Sequence, residues 1–156
     1  MREIRMNKLA AKIAEHPFCE GLSTRHLNIL ARCGMKTEFA KDQLVFGKGD
    51  LANRFYLIQI GHVVLESPRS GGKWLTVQIV GPGDVLGWSW LFDPYRSHFQ
   101  ARSLEQASAI FFYGTRLRMQ CEENTALGYE LVKRMAQVAI KRLESTQRQL
   151  IEHAST

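Results

Sequence analysis

Apolar residues along this chain change their spacing twice. From Asn7 to Glu15 they fall at Leu9, Ala10, Ile13 and Ala14, the spacing of a helix with one buried face. His16-Pro17 closes that helix, because a proline ring disfavours helical backbone in the residue before it. Ser23 is placed to cap a second helix with apolar positions Leu27, Leu30 and Ala31, and Ile29 at the margin. It runs to Cys33, where Gly34 is expected to stop it. From Met35 the period becomes two. Strands are expected at Met35–Phe39, Leu44–Phe46, Arg54–Ile60, His62–Glu66, Trp74–Val80, Val85–Leu86, Ser97–Ala101 and Ala107–Tyr113. Gly47-Lys48-Gly49-Asp50, Gly61 and the run Ser67 to Gly72 punctuate them as turns.

After Gly114 the helical period returns. Thr115 to Glu123 makes one helix, and Asn124 or Thr125 caps a long one reaching about His153. It carries two stripes. Leu127, Leu131, Met135 and Val138 form the first. Ala136, Ile140, Leu143, Gln147 and Leu150 form the second, spaced like a coiled-coil seam. A helix this long has more apolar surface than one core contact covers, so a homodimer through it is expected. The fold class is α+β, mainly β: an antiparallel β-sandwich or barrel with N-terminal helices and a long C-terminal dimerisation helix. It divides into a helical segment at 1–34, a barrel at 35–113 and C-terminal helices at 114–156, together one domain.

Composition narrows the class. With 45% hydrophobic and 23% charged residues in a 156-residue chain, a packed core is expected and disorder is not. No apolar run approaches a membrane span, and Met1 to Arg5 lacks the apolar core of a signal peptide. Cys19, Cys33 and Cys121 are odd in number and scattered, which suits a reducing cytoplasm better than a disulfide framework. The net charge of +6 is compatible with an anionic ligand, but the bases form no run and read as a solvated surface. Lys133, Arg134, Lys141, Arg142 and Arg148 on the last helix alternate with Glu130, Glu144 and Glu152, and read as a solvated or inter-helix face.

The chemistry concentrates in GPGDVLGWSWLFDPYRSHFQA, Gly81 to Ala101. A strand ends at Gly87, a short helix Trp88 to Phe92 follows, and Asp93-Pro94 closes it. A helix starting at a glycine exposes free N–H groups and a partial positive charge. Ser89 adds a hydroxyl and Arg96 a planar fork suited to phosphate. The candidate ligand-binding residues are Gly87, Trp88, Ser89, Trp90, Arg96, Ser97 and His98. The competing reading makes Gly87 a bend, the two tryptophans core and Arg96 a surface charge. The five histidines show no zinc-hydrolase spacing. No nucleophile elbow, P-loop or dinucleotide fingerprint appears, so no catalytic residues, no metal and no enzymatic activity are expected.

Several motifs resemble cyclic-nucleotide-binding domains. Gly49 to Leu65 (GDLANRFYLIQIGHVVL) has the Gly-Asp turn, an aromatic-Tyr-x-Ile core and a glycine six residues past Phe55. His16 to Ser23 resembles the entry segment of those domains, and Gly81 to Gly87 the approach to their phosphate cassette. The chain most resembles effector domains of the catabolite-activator/fumarate-nitrate-regulator family, over about His16 to Leu150. That resemblance implies an eight-stranded jelly roll, a ligand phosphate on the helix after Gly87, and a pairing C-terminal helix. The family's glutamate after the glycine is here Trp88, which has a donor and no acceptor. Aligned on Ala101, the family's arginine falls on Tyr95, with Arg96 one residue later, and His98 stands where a small residue is usual. The pocket is therefore read as a site for cyclic AMP or cyclic GMP, another small anion, or an apolar effector on Trp88 and Trp90. A closed pocket on a dimeric scaffold is the alternative. The resemblance also implies a helix-turn-helix after the long helix. The chain ends at Thr156, so no direct DNA reading is expected.

Overall fold

The computed structural model describes residues 6–155. The Met1–Arg5 segment, read above as no signal peptide, and Thr156 lie outside them. The first helix is α1, Lys8–Glu15, with the Asn7 side chain accepting from the Ala10 N–H. A 3-10 turn, Pro17–Cys19, follows. Helix α2 is Thr24–Arg32, capped by Ser23. Eight strands come next: β1 Gly34–Phe39, β2 Leu44–Phe46, β3 Arg54–Ile60, β4 Val63–Pro68, β5 Trp74–Val80, β6 Val85–Leu86, β7 Gln100–Ser103 and β8 Ala107–Tyr113. Helix α3, Gly114–Glu123, leads to α4, Thr125–Ala154, whose Asn124 cap accepts from the Leu127 N–H.

The strands form two four-stranded sheets, ordered β1-β8-β3-β6 and β2-β7-β4-β5, every pair antiparallel. This is the jelly roll the resemblance implies, built as two facing sheets rather than a closed barrel. The first sheet is buried on both faces. Tyr56 and Ile58 of β3 and Phe111 of β8 face the second sheet, where they meet Val63, Leu65 and Val80. Phe55, Leu57, Ile110 and Phe112 face the other way, onto Ile13, Leu30, Leu117 and Leu127 of the helices. That is why β3 reads as a continuous apolar run rather than an alternating one. Phe55 joins the layers, with ring centroids 5.4 Å from Phe18, 5.9 Å from Trp90 and 6.2 Å from Phe112.

Three local expectations need correction. Gly34 does not stop α2 by a left-handed turn. It opens β1, and a Cβ there would lie 3.0 Å from the Phe112 ring. His62 stands outside β4, its Nδ1 2.6 Å from Glu105 Oε1, while the strand runs on to Pro68. The strand expected at Ser97–Ala101 begins only at Gln100, because the residues before it pair elsewhere. His16 is buried and neutral. Its Nε2–H donates to the Ile58 carbonyl at 3.0 Å while Nδ1 accepts from the Phe18 N–H at 3.2 Å. Burial, only partly offset by the Ile58 and Asp84 backbone contacts and the Asp84 charge, lowers its pKa from 6.5.

Candidate functional site

The segment from Gly87 to Phe99 takes its shape from backbone neighbours. Leu86 pairs with Tyr56 at the end of β6, and the chain then turns through Gly87 at φ 88°. A Cβ at Gly87 would stand 2.9 Å from the Arg54 carbonyl oxygen, so only glycine fits both the dihedral and the space. Trp88–Leu91 forms a 3-10 turn rather than one or two α-helical turns, and no side chain caps its start. Arg118 of α3 fastens this turn. It donates to the Trp90 carbonyl and lies over the Tyr95 ring at 4.2 Å.

Beyond Pro94 the chain pairs with the loop before β3. The Ala52 N–H donates to Tyr95 O at 2.7 Å, Gly49 N–H to Ser97 O at 2.8 Å, and Ser97 N–H to Asp50 O at 2.9 Å. Arg96 and Leu51 form the bridge between these bonds. These contacts hold Ser97 out of β7. They also fix Arg96, whose Nη1 donates to the Gly49 carbonyl at 2.9 Å.

Three cavities border the segment, and two of them reach α4. One, of about 350 Å³, lies between the 3-10 turn and α4, and is lined by Trp88, Ser89, Phe92, Arg96, His98 and Met135 among others. The second, of about 390 Å³, opens between the sheets and the middle of α4. Gly87, Trp88, Ser89, Ser97 and His98 form one wall. Phe46, Leu65, Val77 and Leu86 come from the strands, and Ala139, Arg142, Leu143 and Thr146 from α4.

Five of the seven expected residues thus share the second cavity. Arg96 does not line it. Trp90 lines neither: its ring is 1% exposed and packs on Phe55, so it is core, and its buried Nε1 has no partner. Trp88 remains partly exposed between the cavities.

The residue that sequence reasoning missed is Arg142. It is half-buried rather than on a solvated face, donating to the Val85 carbonyl with its guanidinium 5.3 Å from the Trp88 ring centre. Burial lowers its pKa from the usual arginine value, and the charge of Asp84 only partly offsets this. A signal was there: Leu127, Leu131, Met135 and Val138 continue at the same spacing to 142, so the inner stripe of α4 ends in a guanidinium. Arg134 is likewise engaged, donating to the Phe18 carbonyl at 2.8 Å.

Other reactive groups are quiet. Burial pushes the Cys19 thiol up to about 12 and the Cys121 thiol to about 11. No group of three His, Cys, Asp or Glu among the described residues could hold a metal. No helix among them is long and apolar enough to cross a membrane.

Comparison with known proteins places this geometry. Residues 36–124 match the model of the cyclic nucleotide-binding domain. The chain is 28% identical over 133 residues to an anaerobic regulatory protein of Bacillus subtilis, covering 85% of this chain and 56% of that protein. It is 23% identical over 133 residues to a CRP-like cAMP-activated global transcriptional regulator of Mycobacterium tuberculosis, covering 85% of this chain and 58% of that one. The chain therefore spans little more than half the length of these relatives. A solved structure of a cyclic nucleotide-binding type protein from Geobacter metallireducens superposes with a TM-score of 0.77. It shares 28% identity, over 88% of this chain and 99% of its own.

Proposed function

The chain belongs to the cyclic nucleotide-binding domain family, and from that premise we propose that it is a ligand-sensing regulatory module. The cavity beside Gly87 takes a cyclic nucleotide or another small anionic effector, and the occupied cavity signals through α4. One observation carries this reading: the 87–99 segment and the middle of α4 are opposite walls of the same 390 Å³ space. A ligand there touches both, so binding energy is spent on their relative placement. Gly87, Trp88, Ser89, Ser97 and His98 form the segment's share of the site, with cyclic AMP and cyclic GMP as the family's ligands.

The output surface is the far half of α4. Ile140, Leu143 and Leu150 are each more than half exposed, on the stripe spaced for a partner helix, with Ile151 exposed beside them. A second copy of this chain covers them in the reading proposed here. The cytoplasmic setting rests on the three free cysteines and on the regulatory relatives.

The test is hydrogen exchange of the purified chain against cyclic AMP, cyclic GMP and a panel of small organic anions. A bound effector protects amides in 87–99 and in 139–146 together. Binding that protects only one wall, or protection by none of the panel, would refute the sensing role.

A further inference from the structure

We propose that the cavity takes a small apolar monoanion, a carboxylate on an aromatic or medium-length aliphatic body, and that Arg142 rather than Arg96 holds its charge. This rests on the ligand-sensing reading and narrows it.

The first argument is the state of Arg142. A guanidinium carries five N–H donors. One is spent on the Val85 carbonyl, and the ring face of Trp88 covers part of the group. No carboxylate among the described residues lies within ion-pair distance of it, and Asp84 acts on it only from farther off. A half-buried cation with spare donors and no direct ion pair gains when a partner arrives. It lines the cavity, so a bound carboxylate would supply that partner, and a planar fork matches a carboxylate in two bonds. Burial also lowers its pKa, although arginine remains a cation at neutral pH.

The second argument is the rest of the lining. Phe46, Leu65, Leu86, Phe99 and Leu143 offer only carbon, and no acidic residue is among the lining groups. A ribose hydroxyl placed there finds no carboxylate to accept from it, and Trp88 occupies the position after Gly87. The neutral groups of the lining, Gln78, Ser89, Ser97, His98 and Thr146, are its remaining partners, and a hydrogen bond to a neutral acceptor is weaker than one to a carboxylate. A hydrocarbon body loses nothing there and gains by burial. The third argument is Arg96. It is tied to the Gly49 carbonyl and faces the neighbouring cavity, so the arginine expected from sequence has other work.

The experiment is calorimetric titration of the full chain with 4-phenylbutyrate, octanoate, the neutral 4-phenylbutyramide, cyclic AMP and cyclic GMP. The carboxylates are expected to bind, and the amide about tenfold or more weaker, as loss of a charge-assisted pair predicts. Arg142→Gln should erase that preference, while Arg96→Gln should leave it intact, with circular dichroism checking the fold of each. Should Arg142→Gln not fold, Arg142→Lys decides: it keeps the charge without the fork, so the carboxylate should weaken several-fold and the amide not at all. Equal affinity of acid and amide would overturn the proposal. So would unchanged carboxylate binding in both Arg142 variants, or a dependence on Arg96 alone. Binding of cyclic nucleotides without the carboxylates overturns this inference and leaves the sensing role standing. Binding of none of the five probes overturns both.

Discussion

Gly87 and Gly71 make a matched pair for testing how the ligand segment is held. Their φ angles are 88° and 87°, so alanine is forced into positive-φ backbone at either site. That strain costs about 1–2 kcal/mol for a non-glycine residue. The entropic gain from stiffening the unfolded chain is also common to both, and cancels in the difference. Their surroundings differ. Nothing lies within 4 Å of a Cβ at Gly71, whereas one at Gly87 stands 2.9 Å from the Arg54 carbonyl oxygen. That oxygen belongs to β3, which β8 and β6 grip on either side, so it cannot swing away. Forcing the backbone apart adds about 1–3 kcal/mol, as overpacking does elsewhere. Gly87→Ala should therefore cost about 2–5 kcal/mol and Gly71→Ala about 1–2 kcal/mol, of a total near 5–15 kcal/mol. Urea unfolding followed by circular dichroism reads the difference as a shift in midpoint at constant slope. In thermal scans the losses correspond to a fall of about 4–20 °C against about 2–8 °C. Equal losses would refute the claim that close approach to Arg54 shapes this turn.

Other consequences are as direct. Arg102→Ala strips Glu66, a largely buried carboxylate, of two hydrogen bonds of 3.1 Å, and should cost about 1–3 kcal/mol in chemical unfolding. Those bonds from Arg102 are the main reason the Glu66 carboxyl sits below its usual pKa. Its stabilisation is thus present above the unfolded carboxylate range and lost as pH falls through the folded value, and Glu66→Gln should flatten that acid limb. His16 follows the mirror case of a base held neutral. The unfolded chain takes up its proton below about 6.5 while the folded chain resists, so stability should fall from that pH downward. His16→Gln should be less stable at neutral pH yet lose this slope, and an unchanged slope would refute the assignment. If a second copy covers α4 as proposed, Ile140→Glu combined with Leu150→Glu should halve the mass in analytical ultracentrifugation while circular dichroism holds.

Much of the fold was legible because its cues are local. Asn7, Ser23 and Asn124 cap the helices they were expected to begin, and β2, β3, β5, β6 and β8 have the bounds their apolar runs suggest. The order of strands in the sheets came from resemblance, since pairing between residues such as Gly34 and Phe112 has no local mark. The site was legible in outline and not in its charges. Gly87 and Trp88 declare themselves, but the direction of Arg96 is set by a carbonyl 47 residues earlier, at Gly49. Trp90 and Trp88, two apart on one short turn, part company because Phe55 claims one of them. Arg142 was hidden by its neighbours Lys141 and Arg148, which made a half-buried position look like one of a basic row.

The fully buried residues of helix α4 end at Met135, and Ile140, Leu143, Leu150 and Ile151 stand exposed beyond it. From Met135 to Ala154 the rod extends roughly 28 Å, so a tilt of about 10° at the anchored end sweeps the tip through about 5 Å. Arg142 grips this arm about a third of the way out. Under the proposed sensing role, a molecule no larger than an amino acid, wedged beside that grip, would be geared up into a displacement comparable to one strand spacing.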